Sequence, residues 1–156
     1  MNKAKYKIGV ISDTHGKLNP KISKLFKGVD HIIHAGDICG SDVLESLEKL
    51  APVTAVKGNM DFGELSLKLS ATESVKLGKA FIYILHIPHM LDIEPNKKGF
   101  NVIITGHTHM PFIEFKHNVL YLNPGSATFP KAHNSPTIAF LHVDEAEINA
   151  EIIKLK

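Results

Sequence analysis

Apolar residues gather in short runs along this chain, and several runs end in Gly followed by Asp, Asn or His. Runs that alternate little are read as buried strands, and stripes at three- and four-residue spacing as helices. Lys5 to Ile11 is predicted as the first strand, with the polar loop Ser12-Asp13-Thr14-His15-Gly16 behind it. A short helix is predicted from Asn19-Pro20, with Asn as cap, Pro at the first helical position, and Ile22, Leu25 and Phe26 as its buried stripe. Val29 to His34 reads as the second strand, ending in Ala35-Gly36-Asp37. Ser41-Asp42-Val43-Leu44-Glu45 opens a second helix that buries Val43, Leu44, Leu47 and Leu50, and Pro52 stops it. Val53 to Val56 is the third strand, followed by Lys57-Gly58-Asn59-Met60-Asp61. An order of β-α-β-α-β predicts parallel strands joined by helical crossovers, with ligand sites at the carboxyl ends of the strands.

The second half reads mainly as strands. Ser74 to Leu77 and Ala80 to Leu85 make a hairpin turning at Gly78-Lys79, and its second strand ends in His86. A polar segment around Pro95-Asn96-Lys97-Lys98 leads into Phe100 to Thr105, which runs into Gly106-His107-Thr108-His109. The Gly is read as the point where the chain turns without a Cβ penalty. Phe112 to Lys116 and Val119 to Leu122 flank His117-Asn118 as a hairpin, closed by Asn123-Pro124-Gly125-Ser126. Pro136 to Val143 and Glu147 to Lys154 form a last hairpin turning at Asp144-Glu145-Ala146. Neither repeats nor a linker interrupt this pattern, so residues 1–156 are read as a single α/β domain.

Composition narrows the classes. The apolar runs are too short to cross a bilayer, and the basic start Met1 to Lys7 lacks the apolar core of a signal peptide, which points to a cytoplasmic protein. A net charge of +2, with the lysines spread along the chain, argues against a nucleic-acid partner. All 18 basic residues are Lys, so any phosphate clamp must work without the bidentate guanidinium fork. The single Cys39 excludes an internal disulfide.

The chemistry sits at the strand ends. Asp13 and His15 are spaced i and i+2, as are His107 and His109, and in extended chain such side chains point the same way. Together with Asp37, Asn59 and His86 they make seven candidate ligands of the type that suits Mn²⁺, Fe²⁺, Zn²⁺, Ni²⁺ or Co²⁺. Seven exceed what one catalytic ion with an open position needs, so two divalent ions sharing a ligand are expected, an arrangement suited to phosphoryl displacement by a bridging hydroxide. The turn containing Ser126 offers a hydroxyl and backbone N–H groups that could line a phosphate pocket.

These motifs resemble the calcineurin-like metallophosphoesterases, in particular their small single-domain prokaryotic phosphodiesterase branch. The likeness rests on Asp13-Thr14-His15, Gly36-Asp37, Gly58-Asn59, Gly106-His107-Thr108-His109 and Asn123-Pro124-Gly125-Ser126, all in family order from Ile8 to about Phe140. The resemblance implies a four-layer sandwich of two mixed sheets flanked by helices. It implies that Asp13, His15 and His109 hold a first metal and Asn59, His86 and His107 a second, with Asp37 bridging. Manganese heads the candidate ions, with Ni²⁺, Fe²⁺, Zn²⁺, Co²⁺ and Mg²⁺ as alternatives. Asp37, Asn59 and His86 become the catalytic residues, and Asn59, Met60 and Ser126 the contacts for a small phosphodiester substrate. Homo-oligomerisation stays open, and the alternative function is a partner-binding scaffold like the retromer subunit that shares this fold.

Two departures stand out. Met60 occupies the place of a His that many larger relatives use as general acid, and His86-Ile87-Pro88-His89 replaces the usual His-Gly, leaving His89 as a rival ligand to His86. Of the remaining histidines, His31 and His142 are read as strand residues, His117 as a hairpin tip and His133 as a loop residue near substrate. His34 is a strand residue able to support the site, and Cys39 a small packed side chain.

Overall fold

The computed structural model describes residues 5–131, 134–145 and 147–156. Strand β1 (Tyr6–Ile11) pairs in parallel with β2 (His31–His34), and β2 in parallel with β3 (Val53–Ala55). Helices α1 (Ile22–Leu25) and α2 (Ser41–Glu48) are the crossovers. The antiparallel strands β9 (Thr137–Val143) and β10 (Ile148–Lys154) extend this sheet on the far side of β1, giving the order β10-β9-β1-β2-β3. A second five-stranded sheet runs β4-β5-β6-β8-β7, from β4 (Thr72–Leu77), β5 (Ala80–Leu85), β6 (Val102–Ile104), β7 (Pro111–Lys116) and β8 (Val119–Pro124). Both sheets are mixed, as the family resemblance implies.

Alternation along the strands explains the layering. Ile8 and Val10 of β1, Ile33 of β2 and Leu141 of β9 meet Ile82, Ile84, Ile104, Leu120 and Leu122 of the second sheet in one buried core. Each such side chain contributes roughly 1.5–3 kcal/mol by leaving water. Residues of opposite parity, Ile32, Ile138 and Phe140, pack against Ile22 and Phe26 around α1, Val43 and Leu47 of α2, and Leu65 of α3 (Glu64–Lys68). The outer face of the second sheet is covered more thinly, by a 3-10 turn at Pro88–Met90 and the single turn α4 (Pro95–Lys98).

Helix starts differ from the predicted ones by a residue or two. Asn19 is not the helix cap: its Oδ1 accepts the Lys21 N–H at 2.9 Å in a preceding turn, Lys21 holds the cap position, and the helix begins at Ile22. Ser41 is already helical, with Gly40 in the cap position. Helices α3 and α4 escape the periodicity reading because a stripe needs two turns to show; α4 ends on Gly99 in the left-handed region at φ 84°. No helix among the described residues is long and apolar enough to cross a membrane.

Candidate metal centre

Five strand ends converge on one edge of the sandwich. β1 delivers Asp13 and His15, β2 delivers Asp37, and β3 delivers Asn59; β5 ends in His86, and β6 leads to His107 and His109. Extended chain is not what aims the i, i+2 pairs. Asp13, His15, Asp37, His107 and His109 all lie in the left-handed region, at φ 55°, 48°, 56°, 72° and 61°. Each costs about 1 kcal/mol or more relative to the ordinary conformations, and such strain concentrates where surrounding structure holds a functional loop. Gly106 itself is not left-handed. A Cβ there would lie 2.1 Å from Ser12 Oγ and 2.9 Å from Asp13 Oδ2, so this glycine is needed for close approach of two ligand loops, and His107 and His109 take up the turn.

Each carboxylate uses one oxygen to hold the loops and aims the other inward. Asp13 Oδ2 accepts from Ser12 Oγ–H at 2.7 Å and from the His107 N–H at 3.0 Å, and Asp37 Oδ1 accepts from the Met60 N–H at 2.8 Å. Asp13 Oδ1 then sits 3.3 Å from His109 Nε2, 3.7 Å from His86 Nε2 and 3.9 Å from His15 Nε2. Asp37 Oδ2 sits 3.2 Å from His86 Nε2 and 3.8 Å from His15 Nε2. The rings are oriented from behind: His86 Nδ1 meets the Ala35 carbonyl at 2.6 Å and His109 Nδ1 the Phe129 carbonyl at 2.5 Å. Nδ1–H donation to those carbonyls leaves both Nε2 lone pairs facing the centre, the usual backing of a metal-ligating imidazole.

The donor set fits divalent ions. Ligands held by one ion at about 2.1 Å lie roughly 3.0–3.4 Å apart. His15 Nε2 and His109 Nε2 are 3.4 Å apart, and Asn59 Oδ1 and His107 Nδ1 3.1 Å. Among the described residues two groups qualify, Asp13-His15-His109 and Asp13-Asp37-His86. Asp13 falls in both, while Asp37 reaches one imidazole of each. Asp13 Oδ1 and His86 Nε2 are buried without a hydrogen-bond partner among the described residues, a costly state unless a cation satisfies them.

Protonation follows the same logic. Burial raises Asp13, and His86, Ser12 and His109 only partly offset it. Burial pushes Asp37 the same way, but His86 at 3.2 Å, the Met60 N–H and the His15 imidazole bring it below the ordinary carboxylate value. His86 is opposed by burial, yet Asp37, Asp13 and the Ala35 carbonyl raise it. A positive charge at this point is what the surrounding groups favour, which is the electrostatic requirement of a metal ligand set.

Residues 6–146 match the profile of the calcineurin-like phosphoesterase superfamily domain. The chain belongs to that superfamily. It is 37% identical to a probable metallophosphoesterase of Methanothermobacter thermautotrophicus, with 94% of this chain and 91% of the relative covered. It is 30% identical to a phosphodiesterase of Methanocaldococcus jannaschii, with 95% and 99% covered. Among solved structures, Vps29 of Chaetomium thermophilum shares the fold with a TM-score of 0.80 at 20% identity, over 97% of this chain and 86% of that one.

The other sequence-predicted residues separate clearly within this superfamily fold. Buried His86 faces the carboxylates, whereas His89 is exposed in the 3-10 turn. Met60 is 45% exposed and borders a groove of about 480 Å³ that also takes in Cys39, Phe62 and Leu65. Ser126 does not face the mouth. Fully buried, it donates to the Asp13 carbonyl at 2.8 Å and accepts from the Phe129 N–H at 2.8 Å, so its hydroxyl braces the first ligand loop. Asn123, in the same turn, donates to the Gly106 carbonyl and Thr108 Oγ1. His31 bonds Thr54 and His142 pairs with Glu151, both across strands, and His117 is a hairpin tip at φ 52°. Burial and nearby Asp61 push the Cys39 thiol up to about 11, so it is no ready thiolate. His133 lies outside the described residues.

Asp61 is the residue that sequence reasoning passed over. Its carboxylate accepts N–H groups of Asp37, Cys39 and Gly58 at 3.0, 2.8 and 2.8 Å, clamping two ligand loops together. The signal was its place two residues after Asn59, the same spacing that marks the other loops.

His34 ties β2 to the first ligand loop and gives a pH prediction. Its Nδ1 accepts from the Gly36 N–H at 3.1 Å, so Nε2–H donates to Thr14 Oγ1 at 3.1 Å, whose own hydroxyl hydrogen is donated to the Ile38 carbonyl. Burial, with the charge of His86 nearby, holds His34 down at about 3. A depressed His binds its proton more readily when unfolded, so the stability of this neutral state is intact above about pH 6.5 and is lost as pH falls toward 3. Between pH 7 and pH 5 metal-free protein should lose about 2 kcal/mol through this residue. Urea unfolding at both pH values, with His34→Gln alongside, measures it: the variant's pH dependence should be smaller by that amount, and an identical dependence would remove His34 as the cause.

Proposed function

We propose that this chain is a dinuclear-metal-dependent phosphodiesterase. The observation that carries the reading is the inward pair Asp13 Oδ1 and His86 Nε2, buried and unpartnered amid further imidazoles and carboxylates. Asp13, His15 and His109 would hold one ion and Asn59, His86 and His107 the other, with Asp37 shared. Bound divalent ions, manganese foremost, supply Lewis-acid polarisation of a phosphoryl oxygen and an activated water.

The chain's own residues set the rest. Asn59 is exposed at the mouth, where its amide can donate to a phosphoryl oxygen while its carbonyl oxygen faces His107. His86 is fixed by the Ala35 carbonyl at Nδ1, which keeps its Nε2 lone pair aimed between the carboxylates. An ester arm leaving the centre over Met60 enters the groove walled by Phe62 and Leu65, with Glu64 and Lys68 also on its lining. Fitting a diester takes room for two arms, and a second recess of about 290 Å³ lies on the other side of Asn59, lined by His86, Ile87 and Met90.

A scaffold function is the competing reading, favoured by the exposed apolar side chains near the mouth, Phe62 and Met90 at 71% and 62%. A metal-by-substrate panel on metal-stripped, reconstituted protein separates the two. The phosphodiesterase gives no turnover without metal and recovers bis-aryl diester hydrolysis with Mn²⁺. The scaffold gives none with any metal, and a partner protein co-purifies with it.

A further inference from the structure

Strand β7 closes one edge of the second sheet and, among the described residues, pairs only with β8. Its register sets Ile113 opposite Leu122 and Phe115 opposite Leu120. Directly opposed residues of an antiparallel pair share a face, and Leu120 and Leu122 belong to the core between the sheets. Ile113 and Phe115 therefore project on the inner face, the one that makes the core everywhere else. They are nevertheless 39% and 61% exposed. At this edge the described residues of the sandwich leave core-type side chains only partly covered. Phe112 on the outer face is 49% exposed and borders an apolar groove with Leu91, Ile103, Met110 and Tyr121.

The free backbone edge can be worked out from the turn. His117 and Asn118, at φ 52° and 64°, form a two-residue hairpin turn, and Lys116 pairs with Val119 across it. The residues flanking a two-residue turn exchange hydrogen bonds, and bonding then alternates along the strand. Lys116, Glu114 and Phe112 thus bond β8, while the N–H and C=O groups of Phe115 and Ile113 point away from the sheet. The devices that normally blunt such an edge are few here: the register runs without a bulge from Pro111 to Lys116, and Pro111 sits at the strand's start.

The charges on this strand specify a partner. Glu114 and Lys116 stand two residues apart on the outer face, with opposite sign. We propose that β7 is the interface of a two-fold symmetric dimer, pairing antiparallel with β7 of a second copy so that Phe115 lies opposite its own counterpart. That register sets Glu114 of each copy opposite Lys116 of the other, twice over, on the outer face. Centring the axis on Glu114 would oppose like charges, which destabilises a pair, and centring it on Ile113 would leave Glu114 facing Phe112. The Phe115-centred register alone uses outward backbone groups on the axis, stacks the exposed rings, and matches the charges. Residues 114–116 of the two copies then join both sandwiches into one continuous sheet.

Sedimentation velocity over the micromolar range tests this with variants at exposed positions. Wild type should sediment at twice the 17.2 kDa chain mass. Glu114→Lys and Lys116→Glu should each raise the dimer dissociation constant at least tenfold, because each single change sets like charges opposite twice. The double variant Glu114→Lys/Lys116→Glu restores opposite charges with reversed polarity and should return to wild-type association. Metal content and turnover should be alike in all four proteins, so the outcome is independent of the activity assigned above. A monomeric wild type would overturn the proposal, as would single variants that dimerise like wild type or a double variant as dissociated as the singles.

Discussion

The Asp37→Asn variant is expected to lose at least about 10³-fold in kcat/KM on an aryl phosphodiester, a loss that removal of even one oxyanion-stabilising donor reaches. Asp37 Oδ2 lies near an imidazole of each set, 3.2 Å from His86 and 3.8 Å from His15. An amide there has no negative charge to share between two cations, so both binding steps weaken together. The fold should survive, because the Asn carbonyl oxygen can still accept the Met60 N–H that Asp37 Oδ1 accepts at 2.8 Å. Circular dichroism and melting of the metal-free variant check that the loss is chemical. Turnover near wild type would remove Asp37 from the shared position and leave Asp13, whose Oδ1 also reaches His109 and His86, as the bridging candidate.

Met60 carries the second large effect. A thioether has no proton to give, so a departing alkoxide receives no general acid from this position, and the protein should prefer aryl diesters over alkyl ones. Met60 stands at the rim, its N–H spent on Asp37 and its side chain 45% exposed along the groove where an ester arm would leave. An imidazole at position 60 can protonate that arm. General acid catalysis is worth about 10²–10⁴-fold, so Met60→His should raise kcat/KM on alkyl esters by about 10²-fold and leave activated aryl esters little changed. The check is kcat/KM for both proteins, with the same metal, across esters graded by leaving-group pKa. A flat dependence in wild type would show that another group already supplies the proton, and exposed His89 would be the first residue to replace.

Much of this was legible in the residues because strand ends in an open parallel sheet are where side chains collect. The runs ending at Gly36 and Gly58 announced β2 and β3, and with them the positions of Asp37 and Asn59 on the ligand edge. The choice of His86 over His89 followed from the same rule, since the strand ends at Leu85 and the chain then turns away into Pro88–Met90. What stayed hidden depended on contacts between loops. The left-handed conformations of Asp13, His15, Asp37, His107 and His109 leave no mark in periodicity, and they rather than extended chain bring the i, i+2 pairs together. Ser126 looks like a phosphate contact from its turn, yet its hydroxyl is used up beneath the Asp13 loop. Asp61 looks like a turn carboxylate until its three N–H partners are seen. Helices α3 and α4 are too short to carry a stripe, and burial of Leu65 against the first sheet's outer face, not propensity, fixes the former.

The most direct test of a dinuclear phosphodiesterase is a titration of Mn²⁺ into metal-free protein at a concentration well above the metal dissociation constants, with bis-aryl phosphodiester hydrolysis followed at each addition. The account predicts no turnover before metal is added and a rise that stops at two equivalents per chain. Turnover in the metal-free protein, a plateau at one equivalent, or no turnover at any Mn²⁺ concentration would contradict it.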